Sequence, residues 1–420
     1  MKKQILFLSL LLTLGGSASL SAKETKSASW PHEDSDIAVD PEVEFGTLDN
    51  GMRFAIRRNA EPPGRVSLRL HVAAGSLHEA DNQRGLAHFL EHMLFNGSKN
   101  FPDVENLLGQ MQRLGIAFGS HANAYTSFDE TVYMLDLPNI EEETLKLGFD
   151  VMRDFGDGAL LDPKEIDKER GVILSEKRSR DSVEMRLMEQ QFSFLLPDSL
   201  ITHRFPIGTE KVIKEAQRDR FTSFYEGYYT PTNMTFIVVG DIDPLVYKKR
   251  IIETFASMKN PEQPGDAPNL GTIPEGFKFK AAVFSDKEVK SDDLALGFVQ
   301  ELETESDSVS NRVERYPLSV ANSIIGRRFE ILAKEEGSPI SSGSAGRFEW
   351  FNAIEFGSID VTAVEGKWKE AVPVLEQELR RALEHGFTTA ELDETKAAII
   401  NQAEQAVKRA DTRQSSSLAM

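Results

Sequence analysis

Residues 85–95 read GLAHFLEHMLF, which places two histidines and a glutamate in the pattern His88-x-x-Glu91-His92. On a helix these three side chains share one face, because positions i, i+3 and i+4 lie on the same side. The sequence therefore predicts a helix with a polar stripe facing a cleft and an apolar stripe packed on the core. The apolar stripe consists of Leu86, Phe89, Leu90 and Met93.

These side chains suit a zinc ion. Neutral imidazoles are good zinc ligands, and catalytic zinc sites combine three protein ligands with a water molecule. Zinc lowers the pKa of that water to about 7, and Glu91 is placed to take its proton and pass it to a leaving amine. The order of the residues inverts the commoner H-E-x-x-H and is typical of inverzincins. A surface helix that carries two histidines and no metal is the competing interpretation of these residues alone.

A third protein ligand must come from another part of the chain. Residues 162–165, Asp-Pro-Lys-Glu, form a strong helix start, and we expect one helix from there to about Phe192. Glu169 and Glu176 lie seven residues apart on it and so share a face. Either could complete the site, although acidic residues on a long helix are also typical of a solvated face.

Length and composition bound the class of protein. The chain has 420 residues, enough for two or three domains, with 40% hydrophobic and 27% charged residues, as in soluble globular proteins. The net charge of −19 argues against a nucleic-acid partner, since such proteins need a basic face. Cysteine is absent, which excludes disulfides, thiolate metal sites and a cysteine-linked lipid anchor.

The first residues have the pattern of a secretory signal. Two lysines precede an apolar run, residues 5–14, that is too short for a stable membrane span. We expect residues 1–22 to be a signal peptide cleaved near Ala18 or Ala22, and residues 23–42 to be a disordered leader. An uncleaved anchor is the alternative, which the short run disfavours. Export without cysteine predicts a periplasmic location.

The rest of the first half alternates strand and helix patterns. Asn50-Gly51 lies between two apolar runs and predicts a two-residue hairpin turn. Residues 261–274 are rich in Pro, Gly and Asn and indicate a linker. The other predicted elements are a half-buried strand at 66–72, strands at 131–137 and 234–241, and helices at 104–114, at 140–155 and through Ile251 and Phe255.

The second half repeats the first at one fixed spacing. It has no H-x-x-E-H, and Gln402 and Thr395 stand opposite Glu176 and Glu169, so it resembles the same fold without the metal site. We predict an α+β fold of duplicated two-layer units, each an antiparallel-rich sheet packed with helices. The matching residues are Asp162, Glu165, Ile166, Ile173 and Leu174 in the first copy and Thr388, Glu391, Leu392, Ile399 and Ile400 in the second.

The second copy also lacks a counterpart for the strand at 234–241 and the helix after it. A sheet without one of its strands leaves an exposed edge, so we interpret the sequence as a fragment or as completed by more polypeptide. A second copy that simply ends smaller is the alternative. The predicted domains are a catalytic zinc-binding domain at 43–260, a linker at 261–277 and a second, inactive and truncated domain at 278–420.

Several segments together resemble the pitrilysin/insulinase family of zinc peptidases, which includes mitochondrial processing peptidase. The resemblance covers nearly all of residues 43–420. It implies a zinc endopeptidase that hydrolyses oligopeptides or unfolded protein segments, with one zinc per chain, His88 and His92 as ligands and Glu91 as the base. The segments are GLAHFLEHMLFNGS (85–98), NAYT (123–126), ERGVILSE (169–176), YTPTNM (229–234) and VGD (239–241).

The resemblance also selects between the two carboxylates. The family's distal glutamate ends an E-R-x-V-x-x-x-E pattern, which implies Glu176 as the third ligand. In the family, the number of residues between the second histidine and this glutamate is usually smaller, and that number would select Glu169. A loop insertion, however, changes the number of intervening residues without moving the helix. Glu169 is then implied to orient a ligand histidine. Residues 123–126 resemble the strand edge to which the peptide substrate adds by backbone hydrogen bonds, with Asn123 and Ala124 implied as substrate-binding residues. A turn residue is the alternative for Asn123.

Family members close as a clamshell of two halves, and the opposing half supplies an arginine and a tyrosine near the substrate. Nothing in this sequence matches that half, so the resemblance implies a second half on a longer chain or on another subunit. A non-catalytic binding or assembly subunit is the alternative function, which the intact His88, Glu91 and His92 disfavour. A chance motif on an unrelated α+β protein would leave the repeat unexplained.

Overall fold

A computed structural model describes the backbone of residues 5–9 and the full structure of residues 30–273, 279–303 and 305–420. The remainder of the predicted signal peptide and residues 23–29 lie outside the described residues. The strands are β1 (Ile5–Ser9), β2 (Val43–Thr47), β3 (Arg53–Arg58), β4 (Val66–Val72), β5 (Ala122–Thr126), β6 (Thr131–Leu137), β7 (Met234–Gly240), β8 (Lys280–Phe284), β9 (Asp292–Glu301), β10 (Ile340–Trp350) and β11 (Ile354–Ala363).

Helices account for much of the rest of the described chain. None of the helices within the described residues is long and apolar enough to cross a membrane. In chain order they are α1 (Leu86–Phe95), α2 (Val104–Arg113), α3 (Glu142–Asp157), α4 (Pro163–Ser179), α5 (Val183–Leu195), α6 (Glu210–Glu215), α7 (Arg218–Tyr228), α8 (Pro244–Phe255), α9 (Val309–Leu332), α10 (Trp368–His385), α11 (Thr389–Lys408) and α12 (Ser415–Leu418).

The first sheet has the strand order β2-β3-β7-β4-β6-β5. Its central strand, β4, is antiparallel to both neighbours, whereas β3 and β7 are parallel. We predicted that β4 would be half-buried, but it is buried on both faces. The buried Arg69 on its second face pairs with Asp136 at 2.9 Å and donates to the backbone of Ser416, which lies in α12. The end of the described chain therefore covers the face that the alternation predicted to be solvated.

The apolar stripe of α1 packs as its spacing predicts. Its four side chains are each at most 1% exposed, and Phe89 meets Phe221 of α7 edge to face, with ring centroids 4.9 Å apart. This packing fixes the rotation of α1 about its axis. The opposite stripe of the helix is thereby turned toward α4.

Two local predictions differ from the structure. The helix expected to reach Phe192 ends at Ser179, and a new one begins at Val183, because the Ser182 side chain accepts a hydrogen bond from Met185 and caps it. The hairpin at Asn50-Gly51 forms with a longer loop than two residues, since the Leu48 amide donates to the Met52 carbonyl at 2.8 Å. Gly51, with φ of 88°, supplies the left-handed residue of that loop.

The second sheet has the order β10-β11-β9-β1-β8 and mirrors the first. Its strands β10, β11, β9 and β8 take the places of β5, β6, β4 and β3. The place of β7, the strand that the repeat lacks, is taken by β1 from the predicted signal peptide. β1 runs in the opposite direction to the strand it replaces, because β7 is antiparallel to β4 whereas β1 is parallel to β9.

Part of the predicted disordered leader has defined contacts. Residues 31–34 form a 3-10 turn, and the rings of Trp30 and His32 lie 4.8 and 4.4 Å from that of Phe45. Disorder is therefore the wrong expectation for residues 30–42. The aromatic side chains explain the difference, since they cover the outer strand β2.

The close approach of Gly85 and Gly208 gives a test of how α1 is anchored. A Cβ at Gly208 would lie 2.2 Å from the Gly85 Cα. We expect Gly208→Ala to lower the free energy of unfolding by about 2–4 kcal/mol, measured by urea denaturation, from strain plus overpacking.

Gly64→Ala is the matched control for that substitution. Gly64 has the same φ of 65°, but no atom lies within 4 Å of its Cβ position. It should therefore cost only about 1 kcal/mol, the conformational part alone. Equal losses in the two variants would show that the contact with Gly85 does not matter.

Candidate metal centre

The N-terminus of α1 is held by a buried carboxylate. Glu79 accepts hydrogen bonds from the amides of Gly85 and Ala87 at 2.9 and 2.8 Å. Burial raises the pKa of Glu79 to about 8, although these amides and the charge of Arg204 act in the opposite direction. No capping pattern in the sequence indicated this residue. It satisfies amides that open the helix bearing the candidate ligands.

The structure brings His88 and His92 of α1 together with Glu176 of α4. The Nε2 atoms of the two histidines lie 3.6 and 3.4 Å from Glu176 Oε2, and one ligand atom from each residue lies within 4.8 Å of the others. Zinc bonds of 2.0–2.1 Å in a tetrahedron place ligand atoms about 3.3 Å apart. The two histidine-to-glutamate distances match this spacing, so the three donors suit one zinc ion.

Glu176 is held in its ionised form. The His88 ring, with the charges of Arg180 and His92, lowers the pKa of Glu176 to about 2 against the opposing effect of burial. Arg180 binds Oε1 at 2.5 Å, which leaves Oε2 facing the histidines. His88 is buried, and its Nδ1 has no hydrogen-bond partner among the described residues, so only Nε2 of this ring points at another polar group.

Glu169 lies behind His92. Its Oε1 is 2.9 Å from His92 Nδ1, and its Oε2 accepts from Asn96 at 2.9 Å. Burial lowers the pKa of His92, but the bond to Glu169 and the charges of Glu91 and Glu176 together raise it above its ordinary value. A proton held on Nδ1 leaves Nε2 free as a ligand. Of the two candidate carboxylates, Glu176 faces both rings and Glu169 supports one of them.

Glu91 is tied to the edge of the first sheet. It is 8% exposed, and its Oε2 accepts a hydrogen bond from Thr126 Oγ1 at 2.6 Å. Thr126 ends β5, which is the last strand of the sheet, so one edge of β5 has no partner strand among the described residues. Asn123 is exposed on β5 and Ala124 is partly buried.

Sequence reasoning missed three residues that fix this arrangement: Thr126, Asn96 and Arg180. Thr126 stands inside the NAYT segment, which was assigned only to the substrate edge, and Asn96 follows the motif without an assigned role. Arg180 is four residues after Glu176, a spacing at which helical side chains meet. This spacing of four residues could have indicated that Arg180 contacts Glu176.

Two family models match consecutive parts of the chain. The model described as insulinase, peptidase family M16, matches residues 54–198, and the model described as the peptidase M16 inactive domain matches residues 215–399. The chain belongs to the M16 peptidase family. The resemblance to pitrilysin and insulinase is thereby confirmed.

Relatives of this M16 chain include bacterial zinc proteases. It is 31% identical over 362 residues to the probable zinc protease PqqL of Escherichia coli. The aligned residues cover 86% of this chain and 38% of that protein. The Haemophilus influenzae protein of the same name is 29% identical over 360 residues, again 38% of its length. The chain thus spans well under half the length of these relatives.

Solved structures show the same fold. The first half of the periplasmic protease PqqL from Escherichia coli matches with a TM-score of 0.81 and 29% identity, over 90% of this chain and 81% of that one. A longer PqqL structure matches with a TM-score of 0.82, over 91% of this chain but 42% of the other. The predicted α+β fold of sheets packed with helices is confirmed.

The contact between Glu169 and His92 predicts an effect on metal affinity. We expect Glu169→Ala to weaken zinc binding about 10–100-fold, because the ring loses the partner that fixes its tautomer and orientation. Competition with a chromophoric chelator measures the affinity. Glu165→Ala, one turn earlier on α4 where the side chain pairs with Lys168, is the control and should bind zinc like the parent. Unchanged affinity in Glu169→Ala would contradict this role.

Proposed function

We propose that this M16 chain is the catalytic part of a zinc endopeptidase that hydrolyses oligopeptides or unfolded protein segments. The observation that carries the proposal is the convergence of His88, His92 and Glu176 within 4.8 Å. Glu91 stands on the same helix and is not needed as a ligand. Two imidazoles and one carboxylate leave a fourth tetrahedral position free, as catalytic zinc sites do.

The zinc ion would polarise the substrate carbonyl and lower the pKa of a water molecule to about 7. Glu91 takes the proton from that water and delivers it to the leaving amine. Thr126 donates to one oxygen of Glu91, so the carboxylate keeps one orientation while its other oxygen handles the proton. Glu169 holds the His92 ring through Nδ1 and so keeps Nε2 directed at the site.

The substrate would lie along β5. Its open edge offers backbone groups to an extended peptide, which would add to the sheet as a further strand. Asn123 and Ala124 are the residues proposed to receive it, and the strand leads directly to Thr126 and Glu91. Binding through the backbone is tolerant of side-chain identity, so any preference must come from pockets elsewhere.

The location and the complete enzyme are part of the proposal. Because the relative PqqL is periplasmic and the first residues have a signal pattern, we propose export to the periplasm after cleavage of residues 1–22. Cleavage would remove β1 and open its place between β9 and β8 in the second sheet. The relatives are more than twice as long as their matched part, so a second half, on the same chain or another subunit, would close over β5. We retain residues 43–260 as the catalytic domain, 261–277 as the linker and 278–420 as the inactive domain.

Replacing the base tests the mechanism. We expect Glu91→Gln to lower kcat about 10²–10⁴-fold, the usual size of a general acid–base contribution, while the bound zinc stays at one per chain. A quenched fluorescent peptide reports hydrolysis, and elemental analysis reports zinc. Glu105→Gln, an exposed carboxylate on α2, is the control and should retain parental activity.

Chelation separates the enzyme from the alternative of a non-catalytic subunit. Hydrolysis should stop when zinc is removed and return when zinc is added back. Full activity of Glu91→Gln would refute the mechanism. A purified chain that holds no zinc and gains no activity from added zinc would instead support the binding or assembly subunit.

The hydrogen bond from Thr126 gives a finer test. We expect Thr126→Val to lower kcat about tenfold without changing zinc content, because a hydrogen bond to a charged group contributes about 1.5–3 kcal/mol and here orients the base. Thr126→Ser keeps the hydroxyl and should restore most of the rate. If Thr126→Val and Thr126→Ser have the same kcat, the hydroxyl of Thr126 does not orient Glu91.

A further inference from the structure

A cavity of about 790 Å³ lies between α5 and one face of the second sheet. Strand alternation decides which side chains line it. On the other face of the sheet, Leu294 and Val361 belong to the core beneath α9 and α10. Their neighbours Asp293 and Asp360 therefore point into the cavity, since successive residues of a strand face opposite sides.

The two carboxylates are close together. Asp293 of β9 pairs with Thr362 of β11, and Ala295 pairs with Asp360, so the acids stand on adjacent strands and the same face. Thr362 Oγ1 donates to Asp293 at 2.7 Å, and Ser358 Oγ donates to Asp360 at 2.6 Å. Both acids are thus fixed by neutral hydroxyl donors rather than by cations.

Within the described part of the chain, no basic side chain pairs with Asp293 or Asp360. Asp293, Asp360 and Glu184 line the cavity, and no described residue that lines it is Lys, Arg or His. Arg186 and Lys290 lie near Glu184 at the rim and act on that carboxylate. Burial raises the pKa of Asp360, and the nearby Asp293 adds to the rise. A cation entering the cavity would relieve this repulsion.

The walls beside the acids are aromatic. Trp350 stacks on Phe356 with ring centroids 5.1 Å apart, and Phe192 of α5 lies 5.1 Å from Trp350. Phe348 is 53% exposed at the cavity. A long aliphatic stem can lie along such rings while its charged end reaches the carboxylates.

The aromatic wall is continuous with the candidate metal centre. Phe192 lies against Phe128, at 6.4 Å between ring centroids, and Phe128 follows the strand that ends at Thr126. Asn352, in the turn between β10 and β11, donates to Asp129 at 3.2 Å. A peptide extended beyond β5 would therefore pass toward this cavity.

We propose that the cavity binds a lysine or arginine side chain of the peptide substrate, away from the bond that is cleaved. The proposal rests on the proposed peptidase function for the identity of its ligand. The carboxylates select a positive group, and the aromatic walls select one carried on an apolar stem. Such a subsite would give the enzyme a preference for basic side chains, which backbone binding at β5 cannot supply.

Peptide binding to the zinc-free full chain tests the cavity without hydrolysis. The probes are two fluorescently labelled, terminally blocked peptides. They differ at the single position that follows a phenylalanine, which is lysine in one peptide and norleucine in the other. We expect fluorescence anisotropy to show about tenfold tighter binding of the lysine peptide, which corresponds to about 1.4 kcal/mol. The double variant Asp293→Asn, Asp360→Asn should bind both peptides with the affinity of the norleucine peptide.

Controls separate charge from folding. Glu189→Gln, an exposed carboxylate of α5 outside the cavity, should keep the full preference for lysine. Glu184→Gln, at the exposed rim, should reduce the preference severalfold and serves if the double variant fails to fold. Unchanged norleucine binding in each variant reports an intact cavity wall.

Equal binding of the two peptides would overturn the proposal, and so would a lysine preference that survives in the double variant. Because zinc is absent, neither of these outcomes bears on catalysis by Glu91. Conversely, inactivity of the enzyme completed by its second half, with the lysine preference kept, would refute the hydrolytic function and leave the cavity assignment standing.

Discussion

The contact between α1 and α4 is the constraint on which the candidate site depends. Two histidines on one helix meet two glutamates on the other, with His92 placed between Glu169 and Glu176. The rotation of α1 is set by its buried stripe, and its start is set by Glu79. Ile166 and Ile173 of α4 belong to the same core as the buried stripe of α1, so packing between the two helices sets the geometry of the site.

That geometry concentrates negative charge. Glu91, Glu169 and Glu176 all act on His92 and raise its pKa despite burial. Partly buried carboxylates repel one another strongly in a low dielectric, so the cluster is costly to hold without a cation. Arg180 offsets part of the charge from the solvent side. A divalent ion would offset the rest, and its binding would then stabilise the folded state by mass action.

The proximity of His88, His92 and Glu176 could be predicted because the information for it is local. The motif helix depends on one period of apolar residues, and Glu176 was selected over Glu169 by a short pattern rather than by a count. Long-range features were invisible: Glu79 caps α1 from a separate turn, and α12 buries the second face of β4. The break before Val183 was missed for a different reason, since apolar spacing continued across it while the Ser182 cap decided the boundary.

The second copy shows what the same helix pair does without ligands. There α9 and α11 are joined by the buried Arg328, whose Nε donates to Glu391 at 2.6 Å. The guanidinium of Arg328 neutralises the carboxylate directly, so no metal ion is needed there. Thr395 and Gln402 stand at the positions that correspond to the two glutamates of the first copy. The duplication thus separated two tasks. One copy kept a cluster that could hold a metal, and the second sheet of the other lines the acidic cavity on the face opposite α9 and α10.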